Sequence, residues 1–285
     1  MKLQLKLQLK LKLQLSTSTT NFQLVNFQLP FLNTDSFYAD LEKRHFANLR
    51  FSEVTRALRA LSSAYVERRE SALADHRALD GAGKRAAFAL YYGPIHFELI
   101  RAICERLEQP KASGLVIDLG CGTGVAGAAI ATMTTPKSRV LGIDTHPWTL
   151  EEARFTYRAL GLNAEVRRGF AGRTRIPANA SFVVGAFVVN ELKQPEREEL
   201  LLELKAAVAR GTSVLIVEPI SLRISPWWEE WRAAFLPMGG RADEWKIRTD
   251  LPPIVKRLAK SSSLRPDALT ARSLFAGSDK LAVRS

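Results

Sequence analysis

The spacing of hydrophobic positions changes twice along the chain. Residues 1–15 alternate Leu with Lys or Gln, and a Ser-, Thr- and Asn-rich stretch follows up to Asp35. From Ser36, apolar residues recur at helical spacing, as at Val54, Leu58 and Leu61. After Gly114, short apolar runs alternate with helical segments, which is typical of βαβ units on a parallel sheet. The pattern divides the chain into residues 1–35, 36–111 and 112–285.

The first segment, residues 1–35, is of low complexity. An isolated strand with a Leu face has no partner in the local sequence and would tend to aggregate. We expect a disordered extension, with an added sheet strand and a targeting segment as the alternatives. Lys or Gln at every second position of 1–15 differs from the unbroken apolar region of a secretory signal.

The second segment, residues 36–111, is predicted to be a helical N-terminal region. A helix over 84–92 is expected to break at Gly93-Pro94. Pro94 then begins another helix, because proline suits the first helical position. That helix is predicted to stop before Pro110.

The third segment, residues 112–285, is predicted to be an α/β domain. Helices are expected over 125–132, 149–160 and 195–209, between five strands at 115–119, 139–143, 164–168, 181–188 and 213–217. Two further apolar runs, 269–275 and 280–284, flank Gly277-Ser278-Asp279 and indicate a hairpin. The predicted fold is a Rossmann-like, mostly parallel seven-stranded sheet with a terminal antiparallel hairpin, plus the N-terminal helical flank.

Composition narrows the class of protein. With 285 residues, 46% hydrophobic and 25% charged, the chain is neither wholly disordered nor collagen-like. Two cysteines, Cys104 and Cys121, form neither a disulfide framework nor a zinc site, so we expect no metal. No run of about 18 apolar residues is present, so we expect no membrane span and a reducing, cytoplasmic location. The composition sets no oligomeric state.

The net charge of +12 lies mainly outside the middle of the chain. Residues 1–111 carry 17 basic against 11 acidic residues, residues 112–220 carry 12 against 11, and residues 221–285 carry 12 against 7. Basic flanks around a near-neutral centre favour a polyanionic partner, most simply nucleic acid. The candidate phosphate contacts are Arg85, Arg101, Arg223, Arg241, Arg248 and Lys256.

A glycine-rich turn after the first predicted strand carries the candidate chemistry. Glycine has no Cβ and accepts positive φ, so a ligand can approach such a backbone closely. The segment is Asp118-Leu119-Gly120-Cys121-Gly122-Thr123-Gly124. It resembles motif I of class I S-adenosylmethionine-dependent methyltransferases, the D-x-G-x-G-x-G form. The resemblance implies S-adenosylmethionine as cofactor and a contact role for Asp118, Gly120, Cys121, Gly122, Thr123 and Gly124.

Asp144 ends the second predicted strand and matches the acidic residue that binds a ribose diol in nucleoside-binding α/β folds. Thr145 follows it and joins the predicted cofactor site. After the third strand this chain has Gly169-Phe170 where the family has an acidic residue at its adenine contact. Phe170 is therefore the candidate at that position, either stacking on the base or packing.

Two further strand ends supply the candidate acceptor site. The predicted fourth strand runs into Asn190-Glu191-Leu192, and the fifth ends at Glu218-Pro219. These pairs resemble the small-ribosomal-subunit methyltransferase-like branch of the family, without the cysteine-rich insert of many of its members. Sulfonium methyl transfer mainly requires alignment of the acceptor, with a base only where the acceptor must lose a proton. Asn190, Glu191 and Glu218 are the candidate catalytic residues.

The resemblance implies a methyltransferase that acts on ribosomal RNA or a ribosome-associated target. The partner it implies is ribosomal RNA or the small ribosomal subunit. Three alternatives stay open: a small-molecule methyltransferase, a non-catalytic ribosome-assembly factor that retains the cofactor fold, and an NAD-dependent oxidoreductase. The last rests on Gly122, Gly124 and Gly127, which also fit G-x-G-x-x-G.

Overall fold

The computed structural model describes residues 22–26, 34–67 and 79–277. Within them, one mixed sheet of eight strands is flanked by helices on both faces. The strands are β1 (Phe22–Asn26), β2 (Leu115–Leu119), β3 (Arg139–Asp144), β4 (Ala164–Arg168), β5 (Ala180–Ala186), β6 (Ser213–Glu218), β7 (Arg241–Arg248) and β8 (Leu269–Ala276). The helices are α1 (Asp35–His45), α2 (Phe51–Glu67), α3 (Ala82–Ala87), α4 (Gly93–Arg106), α5 (Val125–Ala131), α6 (Pro147–Ala159), α7 (Gln194–Ala209), α8 (Trp228–Phe235) and α9 (Pro253–Ser261).

The strand order across the sheet is β1-β7-β8-β6-β5-β2-β3-β4. Strands β2 to β6 pair in parallel, whereas β8 runs antiparallel to both β6 and β7. The order reverses direction at β2, because β3 lies on one side of it and β5 on the other. The predicted fold class is confirmed: a mostly parallel sheet of seven strands, β2 to β8, with its antiparallel strand at the C-terminal end. The sheet point where β2, β3 and β5 meet is where open α/β folds bind ligands.

Alternate residues of the central strands enter two cores, one on each face of the sheet. Val116 of β2 packs with the N-terminal helices, α5 and α6, whereas Ile117 packs with α7 and α8. Leu215 and Ile216 of β6 divide in the same way. Both faces of the sheet are therefore covered, which explains why these strands read as unbroken apolar runs.

The antiparallel partner of β8 differs from the prediction. The expected hairpin joined 269–275 to 280–284 through Gly277, but β8 pairs with β6 and β7, and residues 280–284 lie outside the described part of the chain. Strand β7 is not among the predicted strands, although Asp243, Trp245 and Ile247 alternate as buried positions along it. Most of its residues are charged, and only two of the three buried side chains are apolar, so the alternation is weak in the sequence.

Two expectations for the N-terminal half need correction. Residues 22–26 were expected in a partnerless extension, but they pair in parallel with β7 at the sheet edge. The expected break at Gly93-Pro94 does not occur either. A π-helical turn, Phe88–Tyr92, joins α3 to α4, and the Gly93 N–H reaches the Phe88 carbonyl. The wider turn accommodates Pro94, which has no N–H to donate.

The helical flank packs against the α/β domain through buried polar contacts as well as apolar ones. The Tyr38 hydroxyl of α1 donates to Glu98 of α4 at 2.6 Å. Glu152 of α6 is fully buried and accepts from Arg44 at 3.1 Å and contacts His45 at 2.7 Å. These contacts fix α1 and α4 relative to α6. No helix in the described ranges is long and apolar enough to cross a membrane.

Candidate active site

The glycine-rich turn between β2 and α5 adopts the left-handed backbone that the sequence predicts. Gly120, Gly122 and Gly124 have φ values of 59°, 51° and 79°. A Cβ on Gly120 would lie 2.3 Å from Cγ2 of Val188, and one on Gly124 would lie 2.9 Å from the Tyr157 ring. A Cβ on Gly122 would meet nothing within 4 Å. Gly122 therefore faces the open side of the turn, and the other two glycines hold the turn against β5 and α6.

Asp118 lies beneath this turn. Its side chain is 1% exposed, and its Oδ2 accepts from the Gly127 N–H at 2.8 Å and from the Tyr157 hydroxyl at 3.4 Å. Burial raises the pKa of Asp118 to about 7. The Gly127 N–H is one of the first-turn donors of α5 that have no carbonyl partner within the helix. The geometry thus makes Asp118 a support of the turn from below.

Cys121 and Thr123 are buried in the wall of the turn. The Cys121 N–H donates to the Ile143 carbonyl at 2.9 Å, and burial raises the pKa of its thiol well above the ordinary value. Thr123 is 2% exposed, and its Oγ1 has no hydrogen-bond partner among the described residues. A Cβ on Gly93 of α4 would lie 3.6 Å from that oxygen. The first turn of α4 therefore packs directly against the glycine-rich turn.

Asp144 stands beside the open side of the turn at the end of β3. Its Oδ2 accepts from the Gly122 N–H at 2.9 Å, and its Oδ1 accepts from the His146 N–H at 2.9 Å and the Thr149 hydroxyl at 2.8 Å. These donors fix the carboxylate, and Oδ2 keeps a free lone pair because a carboxylate oxygen accepts more than one bond. Thr145, half-buried, follows at the same edge.

Phe170 also lies at this edge, because the neighbouring Gly169 N–H donates to the Asp144 carbonyl at 3.0 Å. The ring is half-buried and packs against the α7 side of the sheet. A Cβ on Gly172 would lie 3.0 Å from its Cε1 atom.

The residues fit S-adenosylmethionine on three observations. Of the three glycines, only Gly122 has open space beside it. The Asp144 carboxylate is fixed next to that opening. The Thr123 hydroxyl has no hydrogen-bond partner among the described residues. A ribose diol next to Asp144 and a backbone approach over Gly122 suit the shape and polarity of a nucleoside.

The predicted acceptor residues Asn190 and Glu218 come together in a buried network. Glu218 is fully buried; its Oε1 accepts from the Val189 N–H at 2.8 Å, and its Oε2 accepts from Asn190 Nδ2 at 2.7 Å. The Trp227 indole N–H donates to Asn190 Oδ1 at 2.8 Å. Burial raises the pKa of Glu218 to about 8. The side chains of Asn190 and Glu218 are thus both hydrogen-bonded to protein partners.

Glu191 differs from these two because it is exposed. Desolvation by its surroundings and the nearby Asp144 charge raise its pKa. Of the two predicted catalytic carboxylates, Glu191 is exposed and Glu218 is buried.

Phe187 and Tyr157 are absent from the candidate residues that the sequence predicts. Tyr157 has no local signal, since only the fold brings α6 against the turn. Phe187 has φ 59°, which is rare for a bulky residue and follows directly on β5. Its position beside Val188, at a strand end, was the available signal.

The predicted phosphate contacts are only partly suited to that role. Arg101 is 4% exposed and lies 3.5 Å from Glu98, so it faces the core. Arg241 makes two 2.7 Å bonds to Asp243, and Lys256 pairs with Asp250. No group of three or more metal-ligating side chains occurs in the ranges that the structure covers.

Part of the chain is similar to known methyltransferases. Residues 116–211, from β2 to the end of α7, match the family model described as a methyltransferase domain. An O-methyltransferase of Pyrenophora dematioidea is 32% identical over 115 residues, covering 40% of this chain and 42% of that protein. Ribosomal RNA small subunit methyltransferase C of Pseudomonas syringae is 32% identical over 124 residues, covering 41% and 36%. The chain thus spans less than half the length of these relatives.

Two solved structures of methyltransferases are similar to parts of this chain at low sequence identity. The plantazolicin methyltransferase BpumL, solved with S-adenosylhomocysteine, has a TM-score of 0.47 and 14% identity over 84% of this chain and 99% of its own. A methyltransferase of Aquifex aeolicus has a TM-score of 0.42 and 20% identity over 63% and 97%. The residues matched by the methyltransferase domain model, 116–211, include the glycine turn and Asp144.

We predict that Gly122→Val abolishes S-adenosylmethionine binding, because the added side chain enters the opening above the turn. Gly161→Val is the matched control: Gly161 also has positive φ, 61°, and a Cβ there would meet only Lys137 Nζ, at 3.6 Å. Both variants carry similar backbone strain and should melt below the wild type. Calorimetry should show cofactor binding in the control alone. Binding by Gly122→Val would place the cofactor elsewhere.

We predict that Glu218 makes the protein less stable as pH rises from its ordinary pKa of about 4.5 to about 8. In this window the unfolded chain releases the Glu218 proton, whereas the folded state, with a pKa of about 8, still holds it. Fewer protons on the unfolded chain mean that the free energy of unfolding falls with pH. Glu218→Gln should melt lower overall, since its amide opposes Asn190 Nδ2, but with a flatter pH dependence. Parallel melting curves of the two proteins would contradict the assignment.

Proposed function

We propose that this protein transfers the methyl group of S-adenosylmethionine to an acceptor at the carboxyl edge of the sheet. The observation that carries the proposal is the Asp144 carboxylate, fixed by the Gly122 N–H beside the one open face of the turn. Hydride transfer from NAD is a poorer fit, because the buried acid Asp118 supports the turn two residues before its first glycine.

Different residues would hold the cofactor, fix the loops and accept a proton. When bound, the sulfonium supplies an electrophilic methyl group, so the protein has mainly to orient the acceptor and exclude water. Gly122 and Asp144 would hold the nucleoside, and Asp118 keeps the turn in place from below. Glu218, through Asn190 and Val189, fixes the loop after β5 that borders the acceptor. Glu191, with a raised pKa, can accept a proton from an acceptor that must lose one.

For the acceptor we propose ribosomal RNA or a ribosome-associated target. Two of the relatives are named as ribosomal RNA methyltransferases, of the large and the small subunit. The charge of one surface gives a second, independent support.

Six exposed arginines lie along α6, β4 and the loop after β4, and Glu165 is the one acidic residue among residues 154–175. We name these six residues the arginine edge: Arg154, Arg158, Arg167, Arg168, Arg173 and Arg175.

The arginine edge begins at the cofactor site. Arg168 stands in register with Asp144 across the β3–β4 pair, and β4 is the outermost strand on that side. Arg167 lies 3.6 Å from Glu165 and Arg175 lies 2.9 Å from Glu203, both as surface pairs of little energetic weight. A phosphate chain along β4 would therefore lead towards the cofactor turn, and this surface replaces the dispersed basic residues expected from sequence.

Methyl transfer is tested with the purified protein and methyl-labelled S-adenosylmethionine, offered to small ribosomal subunits, naked ribosomal RNA, total protein or small metabolites. We expect label in RNA, with none from Gly122→Val and normal transfer from Gly161→Val. Label in small metabolites would favour the small-molecule alternative, in line with the O-methyltransferase relative. Cofactor binding without label in any fraction would favour an assembly factor, and no cofactor binding would refute the proposal.

RNA binding through the arginine edge is tested by filter binding across a salt series. For single strands, log K falls by about 0.7 per phosphate contact for each unit of log salt, so Arg167→Ala/Arg168→Ala should flatten the slope by about 1.4. Arg56→Ala/Arg265→Ala is the control, because it removes the same charge from exposed positions elsewhere. Equal slopes for the two variants would show that the arginine edge does not contact RNA.

A further inference from the structure

We propose that His96 and Phe187 form the wall on which the methyl acceptor stacks, and that the acceptor is accordingly a planar ring. This inference rests on the proposed methyl transfer and specifies the chemistry of its acceptor. The ring chemistry is shared by a nucleobase and a phenol, and the experiment below separates these two sources.

The position of Phe187 follows from the end of β5. Its N–H donates to the Val217 carbonyl of β6 at 2.8 Å, so its backbone is held by the sheet. The next residue, Val188, lies against Gly120 of the cofactor turn. Phe187 therefore stands at the carboxyl edge, one residue from a contact with the turn, where open α/β folds bind their ligands.

The backbone of Phe187 is strained. Its φ of 59° is left-handed, a conformation that favours glycine and is uncommon for an aromatic residue. Strain of this kind persists where the surrounding structure enforces it, and it is concentrated at functional sites. Glycine at this position would remove the strain and would also remove the ring.

His96 faces Phe187 from α4. The two rings stack with centroids 4.3 Å apart and planes 25° apart. Both residues are half-buried, so part of the pair is open to an incoming group. His96 makes no hydrogen bond to the parts of the chain that the structure describes. Burial lowers its pKa to about 4, so the imidazole is neutral at pH 7 and offers one donor and one acceptor.

Helix α4 contacts both the glycine-rich turn and the wall formed by His96 and Phe187. Gly93, three residues before His96, rests on Thr123 of the turn, and the π-helical turn before it carries Tyr91 and Tyr92. The Tyr92 ring lies 6.2 Å from His96 and 5.1 Å from Tyr91. An aromatic, uncharged surface beside the cofactor favours a flat ring, since aromatic faces stack on planar groups, and it disfavours a hydrated alkyl amine.

Direct binding tests the wall without relying on turnover. Ligand-observed NMR is recorded with catechol, uridine and cyclohexanediol in the presence of S-adenosylhomocysteine. We expect catechol or uridine to bind and cyclohexanediol, which has no flat ring, to give no signal. Whichever aromatic probe binds identifies the phenol or the nucleobase as the source. Equal signals from all three probes would overturn the proposal.

Variants locate the binding. Phe187→Leu and Phe187→Gly should weaken aromatic binding about tenfold, the scale of one lost stacking contact. Phe187→Gly should keep its melting temperature close to the wild type, because it relieves the left-handed strain, and so separates stacking from folding. Phe46→Leu is the control, a half-buried aromatic residue between α1 and α2. Unchanged aromatic binding in both Phe187 variants would overturn the proposal.

Calorimetry with S-adenosylhomocysteine keeps the two proposals distinct. Normal cofactor affinity in the Phe187 variants, with aromatic binding lost, supports the wall as an acceptor site. Aromatic binding that depends on Phe187 in a protein without cofactor affinity would retain the wall and refute methyl transfer.

Discussion

The hydrogen bond from the Gly127 N–H to the buried carboxylate of Asp118 is the constraint on which the site depends. At 2.8 Å it ties the end of β2 to the first turn of α5, and the glycine-rich turn is the segment between them. A buried carboxylate without a hydrogen-bond partner would destabilise the core. The Gly127 N–H supplies that partner, and the same bond fixes the two ends of the turn. Tyr157 adds a contact from α6, and the ring also fills the space beside Gly124.

The loop after β5 is held in the same way by a second buried carboxylate. Glu218 at the end of β6 holds the Val189 N–H and the Asn190 amide, as Asp118 holds Gly127. In both places an acid at a strand end fixes the loop of a neighbouring element, and burial raises the pKa of both. Rigid loops at the carboxyl edge suit a reaction in which alignment, more than proton transfer, lowers the barrier.

The helical flank contacts the glycine-rich turn as well as covering the sheet. The buried Tyr38–Glu98 bond fixes α1 against α4, and the first turn of α4 rests on Thr123. The π-helical turn before Gly93 widens the helix where Pro94 would otherwise interrupt it. One continuous helical segment therefore reaches from the N-terminal region to the edge of the cofactor turn.

The sequence by itself determined the five parallel strands, the glycine turn and Asp144. Each follows from a local pattern: apolar runs for the strands, glycine spacing for the turn and the end of a strand for Asp144. It also brought Asn190 and Glu218 to one edge, since parallel strands share a carboxyl end. Only the tertiary structure decided what those groups do: long-range packing buried Asp118 and Glu218 and left Glu191 exposed. The same packing paired β8 with β7, placed Tyr157 under the turn and stacked His96 on Phe187. These contacts join residues far apart in the chain, and no local periodicity encodes them.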